Sequence, residues 1–128
     1  MSPRIAVDRQ PSQAGASING DVLCVRAMLK AAKEATEFVR GCDRAALKRD
    51  EKLTMALTWL VGVIGRAAGD LSPRYRRRTS EIPWRYLADT SDRLRHQYLD
   101  VDRDLLWEIV TQRVPPLIPQ LEKLLVRA

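Results

Sequence analysis

The sequence predicts an all-α protein, an antiparallel bundle of four to five helices. Three observations support this. Apolar residues recur at helical spacing through most of the chain, and no segment sustains the alternation of a strand. A length of 128 residues suits one domain with one core. Charged residues at 30% and hydrophobic residues at 45% are ordinary for a soluble protein, and no apolar run nears the roughly 18 residues of a membrane span. The opening Met1-Ser2-Pro3-Arg4-Ile5 lacks the apolar stretch of a signal peptide, so the expected location is the cytoplasm.

Residues 1–19 hold Pro3, Pro11 and Gly15 without periodicity and are expected to form a flexible leader, with residues 20–128 as the bundle domain. Val22, Val25, Met28, Leu29, Ala32, Ala35 and Val39 define helix one, over about 19–40. Ser17, Asn19 and Asp21 are candidate N-caps and Gly41 a stop. Residues 43–49 can add a helical turn. Leu53, Ala56, Leu57, Leu60, Ile64, Ala67 and Leu71 define helix two, over about 50–70, ending at Ser72-Pro73. Arg74, Arg76, Arg77 and Arg78 fall in a short connection, either a solvated loop or a phosphate-binding patch, because guanidinium forks match phosphate oxygens.

Ser80 is expected to cap helix three, with Pro83 in its first turn. Trp84, Leu87, Ala88, Ser91, Leu94 and Tyr98 share its inner face, and Arg85, Asp89, Asp92, Arg93 and His96 share another. Asp102 or a neighbour starts helix four, which buries Leu105, Leu106, Ile109, Val110 and Val114. Pro115-Pro116 kinks or breaks it. Leu117, Ile118, Leu121, Leu124 and Leu125 form the last amphipathic helix.

Chemistry is concentrated late in helix three. His96 is the only histidine, and it alone among the side chains has an ordinary pKa near neutrality. Asp92 stands one turn before it, in reach to orient the imidazole, and Arg93 and Arg95 flank it. The plainer reading is a surface or interface histidine. Cys24 and Cys42 are isolated, with no CxxC or Cys/His cluster, so neither a zinc site nor a disulfide is expected. Asp100 and Asp102 read as a turn and an N-cap, not a metal site, and Trp84 and Trp107 read as core. No cofactor is expected. The formal net charge of +6 suits RNA or an acidic protein partner.

A set of motifs then adds a resemblance. Val63-Ile64-Gly65-Arg66-Ala67-Ala68, Leu71-Ser72-Pro73, Glu81-Ile82-Pro83-Trp84-Arg85, His96-Gln97-Tyr98, Asp100-Val101-Asp102, Leu106-Trp107-Glu108-Ile109-Val110 and Val114-Pro115-Pro116-Leu117 follow one another in order and spacing over about five-sixths of the chain. Together they resemble the HepT-like family of the HEPN superfamily. The resemblance implies a homodimer and a metal-independent endoribonuclease, the toxin of a toxin–antitoxin pair. It implies a nucleotidyltransferase antitoxin of the MNT type, which in some pairs adds AMP to the motif tyrosine, here Tyr98. Three departures stand out. Ser91 occupies the position of the motif arginine, five before His96, Arg66 follows Ile-Gly where an acidic residue is usual, and Trp59 stands where an arginine is frequent earlier in helix two.

Metal-free RNA cleavage needs a base for the 2′-OH, an acid for the leaving 5′-oxygen and cations for the phosphorane-like charge. With one histidine per chain, a dimer cleft supplies both base and acid. Position 91 lies about 140° around a helix from position 96 and Arg93 about 60° away on the other side, counting 100° per residue. The expected catalytic set is therefore His96 with Arg93, Arg95 and Asp92, and Arg74, Arg76, Arg77, Arg78 and Arg85 are expected to bind RNA. The alternative is a catalytically inactive dimerisation module that binds a nucleotidyltransferase or RNA without cutting.

Overall fold

The computed structural model describes residues 18–97 and 100–127. Those residues form helices α1 (Ile18–Phe38), α2 (Ala46–Arg49), α3 (Glu51–Asp70), α4 (Pro73–Arg78), α5 (Trp84–Arg95), α6 (Arg103–Glu108) and α7 (Val114–Arg127), with a π-helical turn over Ile109–Arg113 between the last two. They contain no strand, as the periodicity predicts. The expected leader falls almost wholly outside the described residues, and so does Tyr98.

α1 and α3 pack at the centre, α5 lies on the far side of α3, and α7 lies on the far side of α1. The first turn of α1 meets the end of α3 through Asp21 and Ser72, so the two run antiparallel. The core joins Val25 and Met28 of α1, Leu57 and Ile64 of α3, Leu94 of α5, Leu106 and Val110, and Leu117 and Leu121 of α7. Each such side chain contributes about 1.5–3 kcal/mol by leaving water. Arg103 ties α6 to the α2–α3 corner, donating to the Leu47 carbonyl at 2.9 Å and to Glu51 at 2.7 Å.

Asp50, Ser72 and Asp102 cap α3, α4 and α6 by accepting from the amides of Leu53, Tyr75 and Leu105. Gly41 takes φ +77° just past α1, as its place in the sequence predicts. The structure corrects four local expectations. Asp21 is not an N-cap; it is buried in the first turn of α1, where its carboxylate accepts from the Ser72 amide and hydroxyl. Residues 74–78 are no loop, because Ser72 and Pro73 start a short helix there. Ser80 does not cap α5: Pro83 precedes the first helical residue, and the Trp84 amide donates to Ile82 at 2.8 Å instead. Pro115 and Pro116 do not break the last helix. The preceding turn widens so that the Val114 amide reaches back five residues to Ile109, and the chain continues helical through Pro119.

Candidate functional site

His96 stands at the C-terminal end of α5, where the helical carbonyls run out of intrahelical donors. Its Nδ1 lies 2.8 Å from the Asp92 carbonyl oxygen. A carbonyl only accepts, so Nδ1 carries the hydrogen, and in a neutral ring Nε2 keeps a lone pair that no hydrogen bond among the described residues engages. The Asp92 carboxylate stands 4.0 Å from the same Nδ1 and also pairs with Arg95. Asp89, Asp92, Arg93, His96 and Gln97 line one open pocket. The Gln97 side chain in this lining accepts from the Asp102 amide at 2.8 Å. The structure thus brings together Asp92, Arg93, Arg95 and His96.

The other predicted cations lie elsewhere. Arg85 opens α5, about 16 Å along the helix axis from His96 at 1.5 Å per residue. With Arg76 it lines a shallow pocket over Ser80, Ile82 and Trp84. Arg74, Arg77 and Arg78 are exposed on α4. These arginines form a separate basic corner at the far end of α5. Trp84 beneath it is core, its indole N–H donating to the Thr79 carbonyl and hydroxyl at 3.1 and 3.0 Å.

Ser91 is buried against α3, facing Gly65. A Cβ at Gly65 would stand 2.1 Å from the Ser91 Cβ, so α3 and α5 touch here almost backbone to backbone. This close contact forms the floor of two clefts. The larger, about 540 Å³, runs between α1 and α3 past Leu23, Cys24, Trp59 and Val63 to Arg66, Ser91 and Arg95. The smaller continues from Arg66, Asp70, Ser91 and Arg95 to Asp89 and Asp92, which also line the pocket of His96. Leu23 and Trp59 of this lining are 64 and 69% exposed, and Met55, one turn before Trp59 on α3, is 63% exposed. Sequence reading placed Trp59 and Arg66 on helix two without joining them to the histidine, because the level at which α5 meets α3 is set by packing at Gly65.

Burial pushes the Cys24 thiol above its ordinary range, and the carboxylates of Asp70 and Asp21 add to the effect. Among the described residues, no three His, Cys, Asp or Glu side chains are grouped to hold a metal ion. No helix among them is long and apolar enough to cross a membrane.

Residues 28–124 match a family profile described as ribonuclease HepT-like. The chain belongs to the HepT-like family. It is 36% identical over 88 residues to the probable ribonuclease HepT of Thermococcus cleftensis, covering 69% of this chain and 80% of that one. It is 30% identical over 89 residues to a candidate RNase of Caldanaerobacter subterraneus subsp. tengcongensis, covering 70% and 80%. A candidate RNase of Methanocaldococcus jannaschii is 26% identical over 98 residues, covering 77% and 81%. No solved structure matches. The HepT-like match spans the His96 pocket, the smaller cleft, and the larger cleft apart from Leu23, Cys24 and Ala27.

Proposed function

We propose that this HepT-like protein is a metal-independent endoribonuclease that works as a cytoplasmic homodimer. The observation that carries the reading is the His96 ring, its Nδ1 hydrogen held by the Asp92 carbonyl, in an open pocket shared with Arg93 and with Asp92, the ion-pair partner of Arg95. In this reading Nε2 of one copy takes the proton of a ribose 2′-OH. The 2′-oxygen attacks the adjacent phosphorus and the P–O5′ bond breaks. The leaving oxygen takes its proton from the imidazolium of the second copy. The products are a 2′,3′-cyclic phosphate and a 5′-OH end, and the two histidines exchange protonation states. Arginines of the site offset the charge of the phosphorane.

The exposed Leu23 and Trp59 of the groove, with Met55 one turn before Trp59 on α3, support the dimer, since large apolar side chains more than half exposed together favour an interface. That groove ends at Ser91 and Arg95, so a second copy seated on it brings two His96 pockets toward one cleft. The reading includes a toxin–antitoxin pairing with a nucleotidyltransferase of the MNT type, with Tyr98 as acceptor of AMP. Tyr98→Phe then blocks the transfer, and label on that variant rejects Tyr98 as sole acceptor.

The test is incubation with total RNA in EDTA beside His96→Ala. Cleavage by the wild-type protein alone supports the nuclease. Cutting by neither, from a dimer of normal mass, favours the second reading, an inactive binding module. That reading draws on Ser91, which puts a short buried side chain at the motif arginine position.

A further inference from the structure

We infer that Arg66, on α3, is the phosphate-binding arginine of this site, supplying from a neighbouring helix the guanidinium that Ser91 lacks. The inference rests on the nuclease reading for its chemistry and on the geometry of the α3–α5 contact for its placement.

Four observations carry it. First, Gly65 and Ser91 meet almost backbone to backbone, so the next residue of α3 emerges beside position 91. Second, Arg66, Ser91 and Arg95 together line both clefts on either side of that contact, and the smaller cleft leads through Asp92 to the pocket of His96. Third, Ser91 lines both clefts, but its short, 7% exposed side chain places no cation in either. Fourth, the charges differ in commitment. Arg95 is paired with Asp92. Arg66 is exposed and has no ion pair among the described residues, although Asp70 stands one turn further along α3.

The electrostatics of the cleft call for such a group. Asp70, Asp89 and Asp92 all line it, and three carboxylates repel a phosphodiester. Within this cleft Arg95 offsets Asp92, which leaves Arg66 as its cation without an ion pair among the described residues; Arg93 lines the pocket of His96 instead. A guanidinium presents a rigid fork to two phosphate oxygens at once, which an ammonium cannot do.

The test uses the full-length protein and a 2′-O-methyl RNA, which lacks the nucleophile and cannot be cut. Anisotropy titrations across salt compare wild type, Arg66→Gln and Arg66→Lys. Loss of one phosphate contact is expected to weaken binding about tenfold for the glutamine variant and to lower the salt slope by about one. The lysine variant keeps the slope and loses part of the affinity. On unmodified RNA, Arg66→Gln is expected to cut about 10²-fold more slowly, in the range seen when one donor to a developing charge is removed. The pair Arg66→Gln with Ser91→Arg restores binding. Unchanged affinity and salt slope in Arg66→Gln, with helicity and mass preserved, overturns the inference. If wild type binds the modified RNA but fails to cut unmodified RNA, the nuclease reading fails, while the titrations still decide whether Arg66 holds phosphate.

Discussion

The carboxylate of Asp21 accepts two hydrogen bonds from Ser72, one from the amide and one from the hydroxyl, each 2.8 Å long. The pair fastens the first turn of α1 to the start of α4, and the same Ser72 hydroxyl accepts from the Tyr75 amide. Asp21 is 3% exposed, so each donor is satisfied away from water. Removing the carboxylate leaves two buried donors unpaired. Asp21→Ala is expected to cost about 3 kcal/mol, from charged hydrogen bonds of about 1.5–3 kcal/mol and the desolvation of what remains. Asp21→Asn keeps one acceptor and should lose less. Urea unfolding followed by circular dichroism checks both, and a loss below about 1 kcal/mol for the alanine variant rejects the account.

Gly65→Ala tests the helix contact beneath the candidate site. The added Cβ falls 2.1 Å from the Ser91 Cβ and 2.9 Å from the Leu87 carbonyl oxygen, both set in the helix frame. The helices must separate, at about 1–3 kcal/mol for an overpacked contact. Ser91→Gly in the same chain removes the clashes with the Ser91 Cβ and Oγ, leaves the one with the Leu87 carbonyl, and should recover part of the loss. Thermal unfolding of the two single variants and the double variant forms the cycle, and strict additivity sinks the proposed contact.

Trp59→Glu addresses the apolar face. Trp59 is 69% exposed in the single chain, so a charge there should leave the fold intact. Placed in the groove of a dimer, the same charge is desolvated and repelled by its symmetry mate. The expected result is a folded monomer by sedimentation that no longer cuts RNA. A variant that stays dimeric moves the interface to another face.

Alkaline pH is predicted to destabilise the fold. Burial is the first cause raising both the Cys24 thiol and the Tyr75 phenol, with nearby carboxylates adding to it. Their neutral forms are favoured by folding, so the unfolded chain releases these protons first as pH rises. The stabilising contribution is complete below the ordinary thiol value of 9.0 and is lost as pH climbs through the raised folded values. Unfolding midpoints in urea should fall from about pH 9 upward, and Cys24→Ala should flatten the first part of that fall. A midpoint flat to pH 11 contradicts it.

Much of the fold is legible from spacing alone. The stripes of α1, α3 and α7 each bury their apolar side, and Asp102 caps α6 as its type and position suggest. The short pieces are harder to read, since one turn of helix carries no period. Residues 74–78 look like a charged loop until Ser72 and Pro73 are seen to start a helix. His96, Asp92 and Arg95 share one stretch of helix, so their proximity follows from local geometry. Arg66 joins them only through the meeting level of α3 and α5. That level depends on Gly65 lacking a side chain, which no periodicity reports.

The three tryptophans stand in three different surroundings. Trp59 faces out from the groove, Trp84 is enclosed with its indole N–H held by Thr79, and Trp107 is half-buried on α6. The chain therefore carries its own optical labels. The water-bathed indole of Trp59 emits furthest to the red and is the one open to collisional quenchers. Its emission reports what settles on the groove, while the shielded indole of Trp84 responds to unfolding.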